Sequence, residues 1–206
     1  MEIAALITAF VTIFVVIDPI GLAPMFVAIT KGEDAGHRRM VALRSCAIAA
    51  VLLTLFGLFG ESVLGFVGIS MPAFRISGGI LLFLTALEML FERRTQRRKG
   101  QATKADDPSV FPLATPLIAG PGAIATMILL TGQADGVSEL IAVHLVMLAV
   151  VALVLLFFLA APLMERALGD TGINVVSRLL GMLLAALSVQ FVLDGLAGLG
   201  LSAATG

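Results

Sequence analysis

Apolar residues fill six long stretches of the chain, and short polar segments separate them. Because roughly 20 apolar residues span a bilayer as an α-helix, the pattern predicts an all-α membrane protein with six transmembrane helices. The predicted spans are Ile3–Thr30, Met40–Gly60, Pro72–Phe91, Phe111–Thr131, Leu140–Met164 and Asn174–Leu199.

Composition excludes several other classes of protein. Apolar types make up 59% of the chain and charged types 13%, whereas soluble domains carry about 25% charged residues. The net charge of -1, without a basic stripe among aromatics, gives no indication of a nucleic-acid partner. One cysteine excludes a redox pair or zinc cluster, and His37 and His144 lie in no ligand-spaced motif. We therefore expect no enzyme activity, no metal and no cofactor.

Basic residues predict the orientation of the chain in the membrane. Because successive spans cross the membrane in opposite directions, every second connecting segment lies on the same side of it. Twelve of the 13 Lys and Arg residues fall on one side by this rule. The positive-inside rule assigns that side to the cytoplasm and both termini to the outside. The twelve are Lys31, Arg38, Arg39, Arg44, Arg93, Arg94, Arg97, Arg98, Lys99, Lys104, Arg166 and Arg178, and the exception is Arg75.

The two halves of the sequence resemble each other. Arg75-Ile76-Ser77-Gly78-Gly79 parallels Arg178-Leu179-Leu180-Gly181, and Asp18-Pro19-Ile20-Gly21 lies opposite Gly120-Pro121-Gly122. Three spans are an odd number, so the second repeat enters the membrane inverted relative to the first. We predict one membrane domain with a first repeat at 1–91, a basic cytoplasmic linker at 92–110 and a second repeat at 111–206. The alternative is coincidental similarity between apolar hairpins.

Proline and glycine predict a break in the first and fourth spans. Two prolines and a glycine fall within Asp18–Pro24, and Ala119–Gly122 follows Pro112 and Pro116. Proline removes a backbone donor and clashes with the preceding turn. Broken helices persist in a membrane only when they are buried in protein or line a wet cavity. The alternative to a functional break is a pair of packing kinks.

Breaks at corresponding places in two repeats point to a midplane binding site. Each second half-helix offers unpaired N–H groups and a partial positive charge, while each first half ends in carbonyls. A zwitterionic amino acid would suit this arrangement. The predicted substrate-binding residues are Asp18, Pro19, Gly21, Pro24, Gly120, Pro121 and Gly122.

Intramembrane polar residues supply candidates for coupling or gating. Asp18 could cap the second half-helix, be protonated, or bind a substrate amine or coupling ion. His144 fits either an interhelical hydrogen bond or a proton relay. Arg75 and Arg178 could instead anchor helix ends or pair with Glu61 and Glu165, and Glu88 could snorkel. The coupling or gating candidates are Glu88, Arg75, Arg178 and Gln190.

The motif Asp18-Pro19-Ile20-Gly21-Leu22-Ala23-Pro24-Met25-Phe26 resembles the first signature of the MarC family. Pro112–Ile124 looks like the second signature of the same family. The resemblance covers nearly the whole chain and implies a six-helix inner-membrane protein, grouped with small neutral amino acid transporters and distantly with LysE-type exporters. Leu22 departs from the pattern, because family members often carry Asn there.

These observations favour a secondary transporter of small neutral amino acids or similar metabolites, working by alternating access. The expected partners are the lipid bilayer, a small-molecule substrate and a coupling proton or cation, and a homo-oligomer is left open. A non-transporting scaffold or regulator and a passive small-solute channel are the competing hypotheses.

Overall fold

The computed structural model describes residues 3–91 and 107–200, without the side chains of residues 164–166, 168 and 170. All regular structure in these ranges is helical. Both termini and most of the predicted linker, including its six basic residues, lie outside the described residues. The helices are α1 Ile3–Ile17, α2 Pro19–Ile29, α3 Ala35–Val67, α4 Met71–Leu90, α5 Ser109–Ile118, α6 Pro121–Thr131 and α7 Val137–Gly198.

The helices provide five or six membrane spans within the described ranges. Five helical stretches are long and apolar enough to cross a bilayer, and α1 with α2 counts as one of them, Ile3–Ile29. The pair α5 and α6, bent by 55°, makes the sixth if it is one span. The prediction of an all-helical membrane protein is confirmed at this level.

A side-chain cap fixes the start of α3. The Asp34 carboxylate accepts hydrogen bonds from the backbone N–H groups of Gly36 and His37, at 2.8 and 3.0 Å. These bonds hold the pKa of Asp34 below its usual value, led by the one from His37. Helix α3 therefore begins earlier than the predicted span Met40–Gly60, and it continues to Gly68, whose φ of 83° ends it.

The predicted polar loop between the fifth and sixth spans is wrong in its form. Two helices meet there without a longer loop, at a kink where Gly169 has φ 60° and ψ 176°. A left-handed φ is one that glycine adopts without steric cost. The chain therefore changes direction at one residue, between the spans Val137–Leu163 and Thr171–Gly198.

Glycines bring α4 against the second span of α7. A Cβ on Gly79 would lie 2.8 Å from the Ser188 carbonyl oxygen, and a Cβ on Gly195 would lie 2.9 Å from that of Pro72. Gly181 is similarly close to Met89. Small residues allow such close approach where lipid removes the hydrophobic drive for helix association.

The first and fourth spans occupy the interior. Helix α2 packs on the first span of α7, where the Phe26 and Phe158 rings stack with centroids 4.5 Å apart. Helix α6 packs on α3, where Ile128 fills the space beside Gly60. An ion pair of 2.9 Å between Arg44 and Asp107 ties α3 to the segment before α5. The remaining faces expose large apolar side chains, as lipid contact requires.

Candidate functional site

Asp18 separates α1 from α2 near the middle of the first span. Its backbone is left-handed, with φ 59° and ψ 65°, which costs a non-glycine residue about 1–2 kcal/mol. Helical bonding persists on both sides, since the Asp18 N–H donates to the Phe14 carbonyl and its carbonyl accepts from the Leu22 N–H. The two helices therefore still form one span of 27 residues.

The Asp18 carboxylate caps α2. Oδ1 accepts a hydrogen bond of 3.0 Å from the Gly21 N–H, and Asp18 is only 2% exposed. Pro19 follows at the first helical position, where its missing donor costs nothing. A Cβ on Gly21 would collide with the carboxylate, so this cap requires glycine there. The capping alternative for Asp18 is confirmed.

The chain between Ser109 and Pro121 interrupts the fourth span differently. Helix α5 has π-type hydrogen bonding, with extended residues at Phe111 and Thr115 and cis peptide bonds before Pro112 and Pro116. Gly120 then precedes α6 and provides no side-chain cap. A Cβ on Gly120 would lie 2.5 Å from the Pro116 carbonyl oxygen. Only glycine fits this turn.

The two interruptions are in contact. A Cβ on Gly122, in the first turn of α6, would lie 3.2 Å from Val16 Cγ1 at the end of α1. It would also lie 3.4 Å from Leu82 Cδ2 and 3.8 Å from Thr85 Oγ1 on α4. The absence of a side chain at Gly122 therefore lets the two spans and α4 meet at one place.

Most of the predicted substrate-binding residues are buried. Asp18, Pro19, Gly21, Gly120 and Gly122 are buried. Pro24 is half-buried, and Pro121 is exposed. The predicted list does not include Val16, Leu82 and Thr85, which lie beside Gly122, because no sequence motif shows which residues of other helices face a break.

The coupling or gating candidates are spread more widely. Glu88 and Arg75 are half-buried on α4, whereas Arg178 is exposed on α7. Gln190 is exposed and donates a hydrogen bond of 2.7 Å to Asp194 Oδ1 on the same helix. Arg75 and Glu61 form no ion pair among the described residues, and the Glu165 side chain lies outside them.

His144 makes no interhelical hydrogen bond within the described part of the chain. Its Nδ1 hydrogen-bonds the Leu140 carbonyl of its own helix at 2.8 Å. Its Nε2 is buried and lies 2.8 Å from where a Gly57 Cβ would be. The described residues contain no cluster of three or more His, Cys, Asp or Glu that could hold a metal ion.

Two cavities adjoin opposite ends of the first span. One of about 410 Å³ lies at the end near Ile3, between α1, the end of α6 and the start of α7. The other, of about 210 Å³, lies near Ile29, between α2, the start of α3 and Leu159 of α7. The buried interruption at Asp18 lies between these ends.

Comparison with known proteins decides the family. The profile of the MarC family integral membrane proteins matches residues 3–199. The chain belongs to the MarC family. Its MarC-family relatives include "UPF0056 membrane protein MJ1677" of Methanocaldococcus jannaschii, 35% identical over 96% of this chain and 98% of that protein.

Two further MarC-family relatives match over nearly their full length. "UPF0056 membrane protein YvbG" of Bacillus subtilis is 34% identical over 97% of both chains. "UPF0056 inner membrane protein YhgN" of Escherichia coli K12 is 33% identical over 93% of this chain and 95% of that protein. No solved structure matches this chain. The predicted resemblance to the MarC family is confirmed, and with it an integral membrane protein.

Proposed function

We propose that this MarC-family protein is a secondary transporter of small neutral amino acids or similar small metabolites in the inner membrane. Two oppositely oriented halves would alternate access to a site between them. The contact between the two interrupted spans carries the proposal, because Val16 Cγ1 lies only 3.2 Å from the position that a Cβ on Gly122 would take. Interrupted helices meeting inside a membrane protein are typical of transporter binding sites.

Helix packing supports two inverted repeats. If the two repeats are equivalent, span one corresponds to span four and span two to span five. The packing of α1 and α2 on the fifth span then corresponds to the packing of α5 and α6 on the second span. Helices α5 and α6 both pack on α3, and α1 and α2 both pack on α7, where Phe26 stacks on Phe158 of the fifth span. The third and sixth spans, α4 and the end of α7, pack on each other as a symmetric pair should. Span one also contacts span four.

The chemistry of the site suits a zwitterion. The first turn of α6 has no side-chain cap, so its N–H groups and partial positive charge can receive a carboxylate. Asp18 and the carbonyl end of α1 supply negative charge nearby for an ammonium group. A coupling proton or cation would use Asp18 or the half-buried Glu88. We propose that the basic side is cytoplasmic, with both termini outside.

Apolar packing favours a carrier over a channel. Leu22, Leu113, Leu117 and Ile118 are buried around the interruptions, with exposures of 5% or less. A passive pore would need a continuous polar lining, whereas a carrier closes its site on one side at a time. A scaffold would need no site at all.

A counterflow assay in proteoliposomes tests the proposal. Vesicles preloaded with a panel of unlabelled neutral amino acids should accumulate the matching labelled solute, and uptake should saturate. Gly122→Leu should abolish counterflow, because its side chain would push Val16 away from α6. Gly65→Leu is the matched control, since a Cβ there meets nothing within 4 Å.

The outcomes separate the competing hypotheses. Flux without saturation or counterflow would indicate a channel. No flux of any solute, with a folded protein, would favour the scaffold. Counterflow that Gly122→Leu leaves intact would place the substrate elsewhere.

A further inference from the structure

A basic hollow lies at the Ile29 end of the first span. It has a volume of about 210 Å³. Apolar residues of α2 and α7 form its inner side, and the start of α3 forms its rim. Its lining residues are Phe26, Ala35, Arg38, Arg39, Phe158, Leu159 and Pro162.

The charge on this hollow is positive. Arg38 and Arg39 contribute two guanidinium groups, and no lining residue is acidic. Within the described ranges neither arginine has a carboxylate partner, in contrast to Arg44, which pairs with Asp107. Asp34 caps the same helix end, and its Oδ1 is used by the Gly36 and His37 N–H groups. Two guanidinium groups beside a cavity, without a carboxylate partner in that part of the chain, suit a carboxylate, which arginine binds in a bidentate manner.

Two stacked aromatic rings form the inner side of the hollow. The Phe26 and Phe158 rings are inclined by only 6°, and each residue is 1% exposed. Arg38 lies over the Phe26 ring, with its Cζ 5.9 Å from the ring centroid, within the range of a cation–π contact. The rim of the hollow is therefore connected to its inner side through Arg38.

Along α2, the stack lies between the hollow and the interruption at Asp18. Phe26 belongs to α2, which begins directly after Asp18. Eight residues of helix place Phe26 roughly 12 Å along the axis from Asp18. The intervening Leu22, Ala23 and Met25 are buried. A solute moving from the hollow to the interruption along α2 would have to pass the two rings.

We propose that the hollow is the entry subsite for a small carboxylate on the basic side, and that the Phe26–Phe158 stack is its gate. A carboxylate that pairs with Arg38 would weaken the contact of that guanidinium with Phe26 and free the ring to move. This inference rests on the proposed transport function, since it names the substrate group recognised first and the barrier that follows.

Cysteine accessibility tests the gate without a known substrate. The single cysteine, Cys46, is replaced by alanine. Ala23→Cys, one helical turn from Phe26 toward Asp18, then reports access beyond the stack to an impermeant thiol reagent, and Leu159→Cys reports access to the hollow. We expect Leu159→Cys to react and Ala23→Cys to be protected.

Removing one ring should open the route. Phe158→Ala should raise the labelling rate of Ala23→Cys by about tenfold or more, which corresponds to about 1.4 kcal/mol. Phe59→Ala, at an exposed ring elsewhere, should leave that rate unchanged. Equal rates in both variants would overturn the gate. Circular dichroism and gel filtration of each variant exclude unfolding as the cause of labelling.

Ligand protection tests the subsite. In nanodiscs of phosphatidylcholine, L-alanine should slow labelling of Leu159→Cys severalfold, whereas L-alaninamide, which lacks the carboxylate, should not. Arg38→Gln with Arg39→Gln should remove the protection, and Lys31→Gln should keep it. Protection by phosphatidylglycerol in the nanodisc, without any effect of L-alanine, would assign the hollow to a lipid headgroup and overturn the entry role.

The two proposals fail separately. Counterflow with an unchanged labelling rate in Phe158→Ala would refute the gate and keep the transporter. A labelling rate that rises in Phe158→Ala, in a protein that moves no solute, would support the barrier and refute transport.

Discussion

The first and fourth spans are both interrupted, but the helix after each interruption begins in a different way. At Asp18 a side chain caps the following half-helix, and the two halves still form one span. At Gly120 the following half-helix has no side-chain cap, and the span bends by 55°. The first interruption is therefore capped by a residue of its own span, whereas the second lacks a side-chain cap. The two interruptions should therefore respond differently to substitution.

Gly120→Ala should have the largest effect on stability. The new methyl group would lie 2.5 Å from the Pro116 carbonyl oxygen, and backbone cannot move aside as a side-chain end can. We expect a loss of about 3 kcal/mol in the free energy of unfolding. Unfolding from detergent micelles by added SDS measures it. Gly65→Ala is the control, and equal stability of both variants would refute the tight turn at Gly120.

Gly21→Ala should have the next largest effect. Its methyl group would collide with the Asp18 carboxylate, which can rotate away but then loses the cap. We expect a loss of about 2 kcal/mol, the upper range for a helix N-cap. The same SDS titration measures it. A loss greater than that of Gly120→Ala would reverse the comparison between the two interruptions.

Substitutions at Asp18 separate its shape from its charge. Asp18→Ala should cost about 1–2 kcal/mol, because it removes the cap acceptor and keeps a strained left-handed backbone. Asp18→Asn should retain most of that stability, since Asn accepts the same bond and tolerates a positive φ. Unfolding titrations give both values. If Asn costs as much as Ala, the charge stabilises the interruption.

The ion pair before α5 should give the smallest effect. The pKa of Asp107 lies below its usual value of 3.8, chiefly because its carboxylate accepts a hydrogen bond from the Ser109 hydroxyl. The Ser109 N–H and Arg44 lower this pKa as well. Because the folded pKa is lowered, the stabilisation is present above the unfolded pKa and is lost as pH falls through the folded pKa. Asp107→Asn should therefore lower the melting temperature at pH 7 by a small amount. The difference should shrink below pH 3.8, and a difference that persists there would exclude ionisation as its source.

Local chemistry made the helices and the cap at Asp18 accessible to prediction. Long apolar stretches gave the spans, and Asp18-Pro19 has the residue types of a cap followed by a first turn. The polar segment after Met164 indicated a loop, but the two helices on either side meet at a kink at the single residue Gly169.

Contacts between helices could not be predicted in the same way. The stacking of Phe26 on Phe158 and the approach of Val16 to Gly122 depend on which faces meet, and apolar residues surround these helices on every side. A membrane span lacks the polar face that would orient it. His144 illustrates the limit, since its bond to Leu140 lies within one helix.

An intramolecular disulfide tests most directly whether the two halves meet at their interruptions. In a Cys46→Ala background, Val16→Cys and Gly122→Cys are introduced with a specific protease site in segment 92–106, and native membranes are oxidised before cleavage. The contact of Val16 with Gly122 predicts that the two halves migrate together until reduced. Halves that separate without reduction, as in the control pair Val16→Cys and Gly65→Cys, would contradict it.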